Sequence, residues 1–205
     1  MQADGRVGPA LMSDGALSPF RLSKDGATVV QHGHAKYQEA VLRGNVYFAC
    51  NTATQALSLA SATATGLILT NPFNSGKNLV ILNVSSYISA AITAVANVAL
   101  FAGFYSATSV TQAAPITVRN ALIGPVNTNA VGLVASSATL PGAPTHLRSL
   151  YGWHWVTGGT ETAQLGTSVD IDGSIILSPG TTLSVQGITV AHSAISSFTW
   201  EEVPV

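Results

Sequence analysis

The chain has 205 residues, enough for one sizeable core with an appendage, and its 8 Lys and Arg against 9 Asp and Glu leave a formal net charge of −1. Charged residues make up 8% of it, where a soluble domain carries about 25%, while the apolar fraction of 47% is ordinary. Without a basic excess or a Lys/Arg cluster, strong phosphate-backbone binding is excluded and nucleic acid is not an expected partner. A surface so thin in charge is expected to be buried in an assembly, unless Ser, Thr and Asn solvate it.

Nine of the charges fall in Met1–Gly44, and Lys77 is the only one between Gly44 and Arg119. This shift divides the chain into an N-terminal arm, residues 1–44, and a strand-rich domain, residues 45–205. Met1–Ala10 is polar and has no apolar run of the Sec-signal kind, so synthesis in the cytoplasm is expected. Within the arm, Pro19–Ser23 and Ala27–Gln31 flank Lys24, Asp25 and Gly26, a turn cluster that predicts a β-hairpin. His34–Leu42 reads as two helical turns or an irregular edge, ended by Arg43, Gly44 and Asn45. Cys50, the only cysteine, allows no intrachain disulfide and is read as a lone buried thiol.

Beyond Asn45 the pattern is strand after strand: Val46–Cys50, Gly66–Thr70, Asn78–Val84, Ser85–Ile92, Val95–Tyr105, Ile116–Arg119, Tyr151–Val156, Ser174–Leu177, Thr182–Gln186, Ile188–Ala191 and Ser196–Glu201. Asn71–Gly76 (NPFNSG) is a turn, and Gly124–Pro144 is expected to be a long loop. Leu79–Phe101 is uncharged and long enough to span a bilayer, but Asn and Ser interrupt it and no Lys/Arg bias flanks it, so no membrane partner is expected. Short strands at turn-separated intervals predict an all-β sandwich or barrel.

The run GSIILSPGTTLSVQGITVAHSAISSFTWEEVP, with a Pro-Gly turn between two strands and a last strand carrying Phe198, Trp200, Glu201 and Glu202, resembles the final strands of viral jelly-roll domains. The run DGALSPFRLSKDGATVVQHGHAKYQEAVLRGNVYFACN, followed by a Gly-Leu-Ile-Leu strand, is similar to structural proteins encoded among the virion genes of tailed bacteriophages. Together the two runs cover about a third of the chain. The resemblance implies a jelly-roll β-sandwich with an N-terminal arm. It also implies a homo-oligomer, often a trimer, that sits on the capsid surface of a virion and contacts the major capsid protein as a cement or decoration protein. Tail or fibre placement is the alternative it leaves open.

Several constellations bear on chemistry. Arg6, Arg21, Lys24, Lys36 and Arg43 are the cations expected to hold the arm against its neighbours. Tyr151, Trp153 and Trp155 alternate and are placed on one strand face, as a core or subunit-contact strip or, in the receptor-binding alternative, as a stacking surface for host glycans. His32, His34 and Glu39 approach the first metal-binding motif of the cupins, but the third histidine is missing after Pro179 and Gly180. Asp170 and Asp172 flank Ile171 and, on one strand face, would suit calcium or a carboxylate pair; the competing reading is a hydrophilic turn before Gly173. No nucleophile elbow or phosphate loop is present, so no enzymatic activity and no cofactor are expected.

Overall fold

The computed structural model describes residues 35–89, 96–105, 110–124, 129–153 and 166–205. The chain separates into two compact units, Met1–Gln38 and Glu39–Val205. The arm hairpin expected at residues 19–31 lies outside the described residues.

Among the described residues one short helix, α1 (Gln38–Leu42), precedes thirteen strands: β1 (Val46–Cys50), β2 (Gln55–Leu57), β3 (Thr63–Asn71), β4 (Lys77–Ile88), β5 (Ala96–Phe104), β6 (Thr111–Ile116), β7 (Arg119–Asn120), β8 (Leu133–Thr139), β9 (Thr145–Trp153), β10 (Gly166–Asp170), β11 (Ile176–Leu177), β12 (Thr181–Gly187) and β13 (His192–Pro204). Gly44, at φ +73°, supplies the left-handed residue that stops the helix and feeds β1.

The strands form two antiparallel sheets packed face to face, a β-sandwich. Sheet 1 runs β10-β4-β13-β1-β7, with β2 also on β13 and β11 also on β4; sheet 2 runs β6-β8-β3-β12-β5-β9. The pairing is nested: β1 takes β13, β3 takes β12, β4 takes β10, and β5 takes β9. Each outer pair encloses the next, as when one long antiparallel ribbon is rolled up.

Alternation sets the faces. Along β13, Ala194, Ser196, Phe198, Trp200 and Glu202 point inward and are buried, while the residues between them are half-buried on the outer face. Leu67, Leu69, Leu100, Leu183 and Val185 of sheet 2 meet Ile81, Val84, Phe198 and Trp200 of sheet 1 in one core. A smaller cluster, Ala64, Ile68, Ala138 and Leu140 with Tyr105 and Val110 against it, covers part of the outer face of sheet 2. Consequently β12 is buried along almost its whole length on both faces.

The structure corrects several sequence expectations. Asn78–Val84 and Ser85–Ile88 are one strand, because the alternation of buried and half-buried residues continues through Ser86. The expected loop 124–144 contains β8, whose Val134, Ala135 and Ala138 are buried. Ile188–Ala191 forms no strand but a bend that turns the chain from β12 into β13. The stretch 79–101 supplies β4 and β5, and among the described residues no helix is long and apolar enough to cross a membrane.

Candidate self-association surface

Five large apolar side chains stand out at one end of the sandwich. Phe104 is 68% exposed, Ile176 56%, Phe73 50%, Leu147 49% and Leu133 46%. Local structure accounts for three of them. Phe104 ends β5, where Tyr105 N–H bonds Gly180 O at 2.9 Å and the Tyr105 ring folds back over Gly103 to donate to Gly142 O at 3.2 Å. A Cβ on Gly103 would collide with that ring, so glycine lets Tyr105 lie flat on that face, while Phe104, in the opposite phase, is the exposed last residue of the strand. Phe73 sits at the tip of the Asn71–Gly76 turn, held by Asn71 Nδ2, which donates to Lys77 O and Leu177 O at 2.8 Å each. Ile176 is outward because its neighbour Leu177 is inward and buried.

These side chains rim two hollows. One, of about 160 Å³, lies between Phe73, Tyr105, Val110 and Leu133 and is floored by the cross-strand partners Thr70 and Thr182. Both hydroxyls are buried outside hydrogen-bond geometry, although Thr182 acts on the Tyr105 phenol closely enough to oppose the upward push that burial gives its pKa. The other hollow, of about 510 Å³, lies between Phe104, Leu147 and Ile176, and both include Thr181. Neither contains a charged side chain. Half-exposing five such residues leaves roughly 400 Å² of apolar surface, the size at which a patch on a monomer is commonly functional.

The outer face of sheet 1 is solvated in another way. Ser85 and Ser197 hydroxyls are 2.6 Å apart, and Asn83 Nδ2 donates to Ser168 Oγ and to Asp170 Oδ1 at 2.9 Å each. Hydroxyls and amides outnumber charged side chains in that network.

The residues singled out by sequence are dispersed. Arg6, Arg21, Lys24, His32, His34 and Trp155 lie outside the described residues, as does the side chain of Trp153 at the end of β9. Lys36 Nζ lies 5.3 Å from the centre of the Tyr37 ring. Arg43 Nε pairs with Glu39 Oε1 at 2.8 Å on the exposed face of α1, so the carboxylate proposed as a metal ligand has a cation instead. Tyr151 packs against the core, and its hydroxyl donates to Ser86 Oγ at 3.2 Å, a link from sheet 2 to sheet 1. Burial raises its pKa, and the Ser86 hydrogen bond opposes part of that rise.

The turn reading of Asp170 and Asp172 agrees with the structure rather than the shared strand face, because β10 ends at Asp170 and Asp172 takes a left-handed conformation at φ +51° in the turn before Gly173. One further expectation is corrected. Cys50 is exposed rather than buried, since it falls on the outer face of β1 while Ala49 points inward; desolvation nevertheless pushes its thiol pKa up. Among the described residues no three His, Cys, Asp or Glu side chains converge on a metal position. Sequence reasoning gave no role to Phe73 or Leu133 and had Phe104 only within the strand Val95–Tyr105. The usable signal was a phenylalanine inside an otherwise polar turn.

No protein-family model, curated protein or solved structure matches the chain.

Proposed function

We propose that this chain is a structural virion protein that associates with copies of itself and stabilises a bacteriophage capsid as a cement or decoration protein. The observation that carries the self-association is the exposed apolar surface of Phe73, Phe104, Leu133, Leu147 and Ile176. At about 25 cal/mol per Å², roughly 400 Å² of apolar burial contributes about 10 kcal/mol per copy, within the range of about 4–15 kcal/mol that association costs. Contacts repeated over a lattice then decide the balance.

The nested strand order supports the jelly-roll reading, an architecture shared by capsid proteins. The virion setting and the major capsid protein as partner follow from the sequence resemblance, with a trimer as the expected unit. Solution mass is the direct test. The purified chain is expected as an oligomer at micromolar concentration, and Phe104→Ser with Leu147→Ser is expected to lower that mass without lowering the melting temperature. A wild-type monomer overturns the proposal. Virion density on the head lattice would support the cement role, and density at the tail tip would favour the receptor-binding alternative.

A further inference from the structure

Among the described residues β10 and β7 end sheet 1, β6 and β9 end sheet 2, and the two- and three-residue β11 and β2 lie on the edges of sheet 1; all but β10 are guarded or very short. β6 carries Pro115 and shifts register twice against β8, and β9 shifts twice against β5. Bulges and proline are devices that keep a sheet edge from recruiting another strand. β7 is only two residues long. β10 has none of these protections: Gly166–Asp170 pairs with β4 in one unbroken register, from Gly166↔Tyr87 to Asp170↔Asn83, with no proline or lysine.

The phase of that ladder is fixed. Ile171 N–H donates to Leu82 O at 2.8 Å, the next step of the same register, so Val169 and Thr167 also turn their backbone groups toward β4. The N–H and C=O groups of Gly166, Ser168 and Asp170 therefore point away from the sheet. Among the described residues nothing pairs with that rim.

The rim is self-complementary. A second copy running antiparallel about a two-fold axis sets Ser168 against Ser168 of the partner subunit and Gly166 against Asp170 of the partner subunit. All three steps are hydrogen-bonded ones, giving about six backbone bonds. No charge faces a like charge, since each Asp170 meets a glycine and already accepts a hydrogen bond from Asn83.

We infer that β10 is the strand through which two copies of this chain join, making one continuous sheet that runs β13-β4-β10 in one protomer and β10-β4-β13 in the other. The inference rests on the proposed self-association and names a second, two-fold contact beside the apolar surface. A two-fold contact between protomers of different oligomers links those oligomers, which a cement layer requires.

Ser168→Pro is the discriminating substitution, because the N–H it removes is not used within the protomer. The expected result is a solution mass reduced about twofold with the melting temperature retained, whereas Thr167→Pro, which removes an inward N–H, lowers the melting temperature. A second variant reads the geometry directly. Facing residues in a hydrogen-bonded step have Cα atoms about 5.5 Å apart, within disulfide reach. Ser168→Cys in a Cys50→Ser background is thus expected to give a covalent dimer on oxidation, and Thr111→Cys on guarded β6 is not. If the wild type is oligomeric and Ser168→Pro leaves its mass unchanged, the edge inference fails and the proposed function stands. A monomeric wild type defeats both. Loss of association in Ser168→Pro without a Ser168→Cys dimer means that another segment supplies the added strand, and overturns the two-fold contact.

Discussion

Lys77 Nζ lies 3.0 Å from Glu202 Oε2, a cation that is 30% exposed beside a carboxylate with no exposure. Glu202 also accepts the backbone N–H groups of Val131 and Gly132 at 2.9 and 3.0 Å, and the Trp200 indole N–H at 3.3 Å. One side chain on the central strand of sheet 1 thereby ties down the segment that leads into β8 of sheet 2. Lys77→Met is expected to cost about 2–4 kcal/mol, because it leaves the carboxylate buried without its cation. At about 2–4 °C per kcal/mol the melting temperature falls measurably. Combined with Glu202→Gln the loss should be smaller than the sum of the two single losses, a coupling that a double-mutant cycle in urea measures. Additive losses would show that the pair does not act as a unit.

Burial raises the pKa of Tyr151, and likewise of Tyr47, where the nearby Glu202 carboxylate adds to the rise. A folded-state pKa above the unfolded value favours the neutral phenol in the native protein. The stability this confers is complete below the ordinary tyrosine value of 10.0 and is lost as pH rises through the folded-state values. Stability measured by urea between pH 9 and 12 should therefore fall at the alkaline end. Tyr151→Phe should flatten that fall while costing about 1 kcal/mol at pH 7 through the lost Ser86 hydrogen bond. An unchanged alkaline slope in the variant would remove Tyr151 as its source.

Gly66, at φ +130°, lies where β3 shifts its register against β8, and a Cβ there would run into the Val185 carbonyl oxygen and come within 2.8 Å of Leu57 Cδ2. Gly66→Ala combines a conformation unfavourable to any side chain with a clash against the backbone of the neighbouring strand. It is expected to destabilise the sandwich by about 3 kcal/mol or more. A urea midpoint close to wild type would mean that β3 and β12 can separate locally at little cost.

Cys50 is exposed, but its thiol donates to Asn51 O at 3.2 Å and desolvation raises its pKa. Since the thiolate is the reactive species, iodoacetamide should modify Cys50 more slowly than it modifies free cysteine at pH 7.5, with the rate climbing above pH 9. Labelling as fast as the free amino acid at neutral pH would contradict the direction of the shift.

Period-two alternation was enough to place the all-β class and most of the strands, and Val46–Cys50 matches residue for residue. β8 escaped because LVASSAT is built from small residues, whose burial between β6 and β3 comes from position in the sheet rather than from hydrophobicity. Cys50 was misplaced because a short apolar run such as VYFAC gives no phase until its partner is known. Glu202 was legible in principle: once Trp200 faces inward, a residue two places on does too, but burying a carboxylate requires Lys77 and the Val131 and Gly132 amides, which lie far away in sequence. The exposed apolar end was the least legible. Phe104 is in phase with buried Leu100 and half-buried Ala102 and is exposed only because β5 ends there, a limit that no spacing rule reports.

The nesting of the strands also fixes a schedule. β13 lies between β4 and β1 in the middle of sheet 1, and its Glu202 holds the segment before β8, so neither sheet reaches its final form until residues 192–204 have left the ribosome. Every strand made earlier must wait with its apolar face unsatisfied, a demand that favours release in one cooperative step over domain growth during translation. Prematurely terminated chains should then be degraded rather than accumulate, so that only complete sandwiches persist.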